Sequence, residues 1–195
     1  MRESFETSSN QFLPRQNEVF SKPLDEFVDS LVFFARVLSP PTQALVDLLR
    51  NDPGLPGNGS WILFYPEDPE LLKKLQQEHT RLFVSAYPEL NPSPFASSHL
   101  NPKHPQQTLQ EIEALFQIRG WSYEGGRCDR LEVLLEAGSQ IGNEAERREF
   151  LNRYCRPWLD DFAEQLASRA SLPFYPGLLG AIGELLESEL AEEEG

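Results

Sequence analysis

Apolar residues recur every three or four positions along most of the chain, which is the period of an amphipathic helix. The first such run starts at Leu24 and ends at the Ser-Pro-Pro-Thr segment at 39–42. Its predicted buried face carries Leu24, Phe27, Val28, Leu31, Val32, Ala35 and Leu38. Thr42 is placed to cap a second helix over 42–51, because a threonine hydroxyl can accept a hydrogen bond from an amide of the first turn.

Helix-boundary residues predict further helices along the chain. The sequence Asp68-Pro69-Glu70 is typical of a helix start and predicts a helix that runs to about Val84. A second amphipathic run covers 107–118 and is closed by Gly120. Another helix is predicted to begin at about Asp129.

The C-terminal third should form three helices. Asn143 or Glu144 opens a long helical segment, and Pro157 should divide it near Cys155 because a helix interior needs the amide that proline lacks. The sequence GLLGAIGELLESEL, which follows Pro176, gives the last helix.

These runs predict an all-α fold, a single-domain helical bundle of about seven or more helices. The only strand-like run, WILFYP at 61–66, lacks a partner strand and is predicted to open the helical region that follows. Residues 1–22 are polar without a sustained period and predict a flexible N-terminal arm. The helical domain then covers 23–190, and 191–195 form an acidic tail.

The composition is that of a globular protein, with 39% hydrophobic and 25% charged residues in a chain of 195. Its apolar runs fall short of the roughly 20 residues that a membrane-spanning helix needs. The N-terminus shows no secretory leader, and two cysteines give no disulfide framework. A reduced, cytoplasmic setting is therefore expected.

The net charge of −14 limits the kinds of molecule that the chain is expected to bind. Such an acidic chain repels phosphate backbones and anionic lipid surfaces, so nucleic acid and membranes are poor candidates. A basic partner would be attracted, although acidity also serves solubility alone.

Catalytic and metal-binding patterns are sparse. The sequence has no phosphate-binding loop, no nucleophile elbow and no paired zinc-ligand spacing, so we predict no cofactor, no metal site and no enzyme. His99 and His104 are expected to be exposed loop histidines, with Cys128 as the one thiol that could join them. Cys155 is predicted to pack in the core.

Two further patterns in the last third have ordinary structural interpretations. Arg147 and Arg148 lie among glutamates and predict a solvated helix face with side-chain pairs. Trp158 could anchor a partner, but its helical spacing with Leu159 and Phe162 favours a core position.

The segment after Val84 is the least ordinary part of the sequence. It carries Pro88, Pro92 and Pro94 within seven residues, together with the aromatic Tyr87 and Phe95. Prolines hold a loop extended and reduce its entropy, which suits one wall of a groove for a basic, partly apolar peptide. The alternative is a connector whose aromatic side chains cover the core.

The order of these features resembles the cytoplasmic redox-enzyme maturation chaperones, the TorD/DmsD/NarJ-like family. In HTRLFV, Leu82 and Phe83 match an aromatic-x-x-Leu-Phe helix end, and His79 stands where an aromatic residue is usual. In NPSPFASSH, Pro94 and Phe95 match a Pro-Trp pair.

The C-terminal stretch 150–182 also resembles that family, because a leucine-rich helix meets Pro-Trp, then an acidic-aromatic helix, then Phe-Tyr. The family's Glu-Pro-x-Asp-His hinge corresponds here to GGRCDRL, in which Asp129 matches and Arg130 replaces the histidine. Ala96 and His99 stand where glutamate and tyrosine are frequent.

The resemblance implies an all-helical chaperone that assists assembly and cofactor loading of a molybdopterin-containing oxidoreductase subunit. It would bind the twin-arginine signal peptide or N-terminal segment of that client. The implied peptide-binding residues are His79, Leu82, Phe83, Pro94, Phe95, His99, Asp129 and Arg130.

Two other functions remain open at this point. One is an acidic helical adaptor for another basic protein or peptide, and the other is a small enzyme that uses carboxylates or a Cys128–His pair. The proline hinges would also allow helices to exchange between two copies, so a homodimer stays open.

Overall fold

The computed structural model describes residues 26–51, 68–84, 92–123 and 126–191. The predicted arm at 1–22, the run at 61–66, Tyr87 and most of the acidic tail lie outside these ranges. The described residues form nine α-helices and one π-helical turn, Thr80–Val84, which continues α3. The helices are α1 Glu26–Leu38, α2 Gln43–Asn51, α3 Leu71–His79, α4 Ala96–Leu100, α5 Pro105–Arg119, α6 Leu131–Ser139, α7 Glu144–Tyr154, α8 Arg156–Ala167 and α9 Phe174–Ala191.

The all-α prediction is confirmed. Within the described ranges the β-type pairing is limited to one isolated antiparallel bridge, between Phe95 and Arg130. None of the described helices is both long and apolar enough to cross a membrane.

Local boundary chemistry places several helix ends where the sequence predicts them. The Thr42 hydroxyl accepts from the Leu45 amide at 3.3 Å, and the Asn143 side chain accepts from the Glu146 amide at 3.0 Å. Gly120 closes α5 with φ at 67°, a conformation that favours glycine. Side-chain and backbone preferences within one turn therefore determine these ends.

The helix boundaries predicted from Asp68, Asp129 and Pro157 are found within about three residues of the predicted positions. Pro157 lies in the first turn of α8, and the predicted division falls at Cys155, between α7 and α8. Asp68 accepts from the Glu70 amide at 2.9 Å, but α3 begins only at Leu71. Helix α6 likewise begins two residues after Asp129, because that side chain makes contacts elsewhere.

The predicted buried face of α1 needs a correction. Val28 and Val32 are only half-buried, whereas Phe34 and Val37 are completely buried. Apolar residues occur almost all round this helix, so its period alone does not select one face. Packing against α6 and α9 makes the selection. The core then continues through α8, where Trp158 and Phe162 are buried as predicted.

Arg147 was predicted on a solvated face, and that prediction is wrong. Its side chain is buried, with its guanidinium 5.3 Å from the ring centroid of Phe27 and Nη2 3.5 Å from Glu189. Helix α9 packs against α7 and supplies this distant carboxylate. The neighbouring Arg148 pairs with Glu144 one turn away, as expected.

A buried carboxylate joins α3 to the connection before α9. Glu78 accepts hydrogen bonds from the amides of Ser171 and Leu172, at 2.6 and 3.2 Å. Arg81 donates to both of its oxygens, at 2.7 and 3.0 Å. One side chain thus satisfies two backbone donors more than 90 residues away in sequence, just before α9, and one guanidinium on the next turn.

We expect Glu78→Ala to lower the free energy of unfolding by about 2–3 kcal/mol, because two amides lose their acceptor. The exposed Glu164 on α8 provides the matched control, and Glu164→Ala should change stability by no more than about 0.5 kcal/mol. Urea denaturation of both variants measures the difference. Equal stability of the two would contradict the anchoring role of Glu78.

Candidate functional site

The two segments expected to form the peptide site lie directly against each other. The Ala96 amide donates to the Asp129 carbonyl at 2.8 Å, and the Leu131 amide donates to the Pro94 carbonyl at 3.1 Å. These bonds surround the isolated bridge between Phe95 and Arg130. The proline segment and the segment before α6 therefore make one continuous surface, the junction, formed by residues 94–97 and 127–131.

A fully buried carboxylate holds this junction together. Asp129 accepts from the Ser97 amide at 3.2 Å and from Arg127 through two bonds, of 2.8 and 2.7 Å. Arg127 also donates to the Ser97 hydroxyl at 2.8 Å. Two parallel bonds from one guanidinium give the strongest common geometry for an arginine–carboxylate pair. The hydrogen bonds also reinforce the charged form of Arg127 and raise its pKa.

Phe95 lies beneath two arginines. The Arg127 guanidinium is 4.2 Å from the Phe95 ring centroid, and that of Arg130 is 6.0 Å away. The phenylalanine is half-buried, so one part of its ring supports the arginines and another part reaches the surface.

A cavity of about 690 Å³ opens beside this junction. Its described lining comes from the segments after α1 and α5, from Arg130 and from the first turns of α6: Ser39, Pro40, Ser122, Tyr123, Arg130, Glu132, Val133 and Glu136. Arg130 and Glu132 form an ion pair in this lining, with Arg130 Nε 2.6 Å from Glu132 Oε1. Burial raises the pKa of Glu132, while the Arg130 charge opposes that rise.

His79 and Phe83 belong to an aromatic cluster with Tyr175. The ring centroid of Phe83 is 5.1 Å from that of His79 and 5.1 Å from that of Tyr175. Neither His79 Nε2 nor the Tyr175 hydroxyl has a hydrogen-bond partner among the described residues. Burial lowers the pKa of His79, against the effect of the Leu38 carbonyl. Leu82, on the same turn, is buried in the core.

His99 occupies a different environment from the exposed loop predicted for it. It lies in α4, half-buried, and its ring stacks on Trp158 with centroids 4.8 Å apart. Its Nε2 is 2.7 Å from the Ser93 carbonyl. The prolines around His99 predict a loop, but Ala96–Leu100 form a short helix. His104 is exposed just before α5, as predicted.

The structure therefore groups only some of the predicted peptide-binding residues. Pro94, Phe95, Asp129 and Arg130 meet at the junction. His79, Leu82, Phe83 and His99 pack behind it, with Phe162 of α8 next to both Phe83 and His99. Whether any of the eight contacts a peptide stays a prediction.

Two polar residues of this site were missed by sequence reasoning. Arg127 precedes Asp129 by two positions, and Glu132 follows Arg130 by two. Their alternating charges, Arg-x-Asp-Arg-x-Glu, were visible in the sequence and would have indicated two ion pairs.

The thiol chemistry considered for an enzyme is disfavoured. Burial raises the pKa of Cys128 to about 11, and the charges of Asp129 and Glu113 add to the shift. Such a thiol stays protonated near neutral pH and is a poor nucleophile. Cys155 is completely buried, as predicted, and burial raises its pKa too. No group of three metal-ligating side chains occurs within the described ranges.

Comparison with known proteins identifies the family of the chain. Residues 38–164, more than half of the chain, match the family model described as nitrate reductase delta subunit. The chain belongs to that family. Its membership confirms the resemblance to TorD/DmsD/NarJ-like maturation chaperones.

A solved structure supports the fold of this delta-subunit family protein. It is the crystal structure of a proposed redox enzyme maturation protein from Archaeoglobus fulgidus, 20% identical, with a TM-score of 0.53. The alignment covers 89% of this chain and 99% of that one. A search of the curated proteins finds no match.

Removal of Arg127 should destabilise this delta-subunit family protein more than an ordinary surface change. Arg127→Ala leaves the Asp129 carboxylate buried without its cation, so we expect a loss of about 3 kcal/mol in unfolding free energy. Adding Asp129→Asn to that variant removes the unpaired charge and should restore at least about 1 kcal/mol. Urea denaturation of the single and double variants tests the pair, and an unchanged or lower stability of the double variant would contradict it.

Protonation of His79 should make the family protein less stable in acid. Because the folded pKa lies below the usual 6.5, the unfolded chain binds more protons as the pH falls below that value. His79→Phe keeps an aromatic ring in the cluster and removes the titration, so its stability should fall less between about pH 7 and pH 5. Thermal melts of both proteins across this range provide the measurement. Parallel pH profiles would show that His79 titrates as in the unfolded chain.

Proposed function

We propose that the protein is a non-catalytic, cytoplasmic chaperone that assists assembly and cofactor loading of a molybdopterin-containing oxidoreductase subunit. Membership of the nitrate reductase delta subunit family is the observation that carries this proposal. The client segment would be a twin-arginine signal peptide or another N-terminal segment of the subunit.

The surface chemistry at the junction supports a basic, partly apolar ligand. The chain has a net charge of −14, and the cavity beside the junction exposes Glu136 and the ring of Tyr123. Carboxylates attract the arginines of a leader, and half-buried Phe95 offers an apolar contact for the segment that follows them. The helices behind the junction supply a rigid base for such contacts.

An acidic adaptor for a different basic protein is the second candidate. Arg130 keeps it open, because arginine stands where the hinge motif of the signal-peptide-binding chaperones has histidine. The adaptor would use the same acidic surface, so the identity of the bound protein separates the two functions.

Affinity purification of the tagged protein from its own host tests the function directly. Recovery of a molybdopterin-binding subunit with its leader uncleaved is the expected result and names the client. Recovery of an unrelated basic protein would favour the adaptor and would contradict the maturation role. A gel-filtration profile of the same preparation tests the open prediction of a homodimer.

Phe95→Ala should reduce recovery of the client about tenfold, because it removes the exposed part of an aromatic contact. Its melting temperature should stay nearly unchanged, since the ring is only half-buried. Ile118→Ala is the matched control: this side chain is 82% exposed and does not line the cavity. A loss of several degrees in Phe95→Ala would assign the ring to the core instead of the binding surface.

A further inference from the structure

Two arginine–carboxylate pairs, Arg127–Asp129 and Arg130–Glu132, lie side by side at the junction. They differ in the burial and hydrogen bonding of the carboxylate. Both Asp129 oxygens accept from Arg127, one of them also accepts from the Ser97 amide, and the carboxylate is fully buried. An incoming cation would have to break three hydrogen bonds and open the junction to reach it. Asp129 is therefore closed to a ligand in this structure.

The carboxylate of the neighbouring pair is less completely enclosed: 13% of the Glu132 side chain is exposed, whereas none of the Asp129 side chain is. Arg130 Nε lies 2.6 Å from Glu132 Oε1, and the described contacts of these two side chains do not include the two parallel hydrogen bonds that join Arg127 to Asp129. Both side chains line the 690 Å³ cavity, and 27% of the Arg130 side chain is exposed. A guanidinium that approached Glu132 from the cavity could form the paired bonds that Arg130 does not make.

The position of Glu136 extends this site by one helical turn. Glu132 and Glu136 are four residues apart on α6, so their β-carbons are about 5–6 Å apart, and both line the same cavity. Tyr123, 39% exposed, faces the cavity from the segment after α5. Two carboxylates and one aromatic ring suit two neighbouring cationic side chains with planar, stacking head groups.

We propose that Glu132 binds an arginine of the client after Arg130 moves away from it. In the free protein, Arg130 occupies the position that the client's guanidinium takes in the complex. Glu136 pairs with the second arginine of the client. This inference rests on the proposed function and assigns its specificity to α6 instead of Asp129. The exchange keeps Glu132 paired in both states. The partly buried Glu132 carboxylate therefore always has a cationic partner. A buried carboxylate without one would destabilise the protein. Displaced Arg130 remains free to turn into the cavity mouth.

The test uses the full chain and a synthetic peptide that carries an Arg-Arg pair ahead of an apolar segment, with calorimetry as the readout. Glu132→Gln should weaken binding about tenfold or more, and Glu136→Gln several-fold. Glu164→Gln, on the exposed face of α8, is the control for the change in net charge and should leave the affinity within about twofold. Thermal melts confirm that each variant is folded.

Arg130→Gln distinguishes exchange from simple repulsion. Loss of the internal competitor should strengthen peptide binding several-fold in the wild-type background. In the Glu132→Gln background the same change should bring no gain, because Arg130 then masks nothing. An equal gain in both backgrounds would mean that Arg130 only repels the peptide, and would overturn the exchange.

The outcomes also separate this inference from the proposed function. If the wild-type chain binds the Arg-Arg peptide but Glu132→Gln binds it equally well, the assignment of Glu132 is wrong and the chaperone role stands. If the wild-type chain binds the Arg-Arg peptide no better than its Gln-Gln version, recognition of the arginines is overturned. Recovery of the client by affinity purification would then decide the chaperone role alone.

Discussion

The geometry of the candidate site depends on one buried ion pair. Asp129 has no contact with solvent, and it is stabilised there because Arg127 and the Ser97 amide satisfy its oxygens. The same residue accepts the Ala96 amide through its backbone carbonyl. Helices α4 and α6 therefore begin next to each other, and the position of the cavity wall follows from that. A buried carboxylate without these partners would be strongly unfavourable.

Glu78 performs a comparable task on another side of the bundle. It joins α3 to the connection before α9, as Asp129 joins the segment before α4 to that before α6. Acidic side chains are usually exposed, but these two are buried in a chain whose net charge is −14. A small number of carboxylates thus hold connections together through backbone amides. Many of the other described carboxylates are exposed, where they make the surface potential negative.

The two arginine–carboxylate pairs at the junction differ in how tightly they are bonded. The Arg127–Asp129 pair has a buried carboxylate and two parallel hydrogen bonds, whereas the carboxylate of the Arg130–Glu132 pair at the cavity is 13% exposed. The described hydrogen bonds of Asp129 do not involve Arg130 or Glu132, so the second pair can change without breaking the first. The aromatic packing of Phe83, Tyr175 and Phe162 supports this surface from behind and keeps its backbone in place.

By itself, the sequence determined the fold class and most helix ends, because those depend on interactions within one turn. Thr42, Asn143, Gly120 and Pro157 act on amides a few residues away, and their effects are the ones predicted. Only the tertiary structure decided which face of α1 is buried, why Arg147 lies inside, and that Asp129 is an internal link. Each of these depends on a partner from another helix or loop. Hydrophobic period cannot supply that information, because it records how apolar a face is and not which distant charge or ring will cover it.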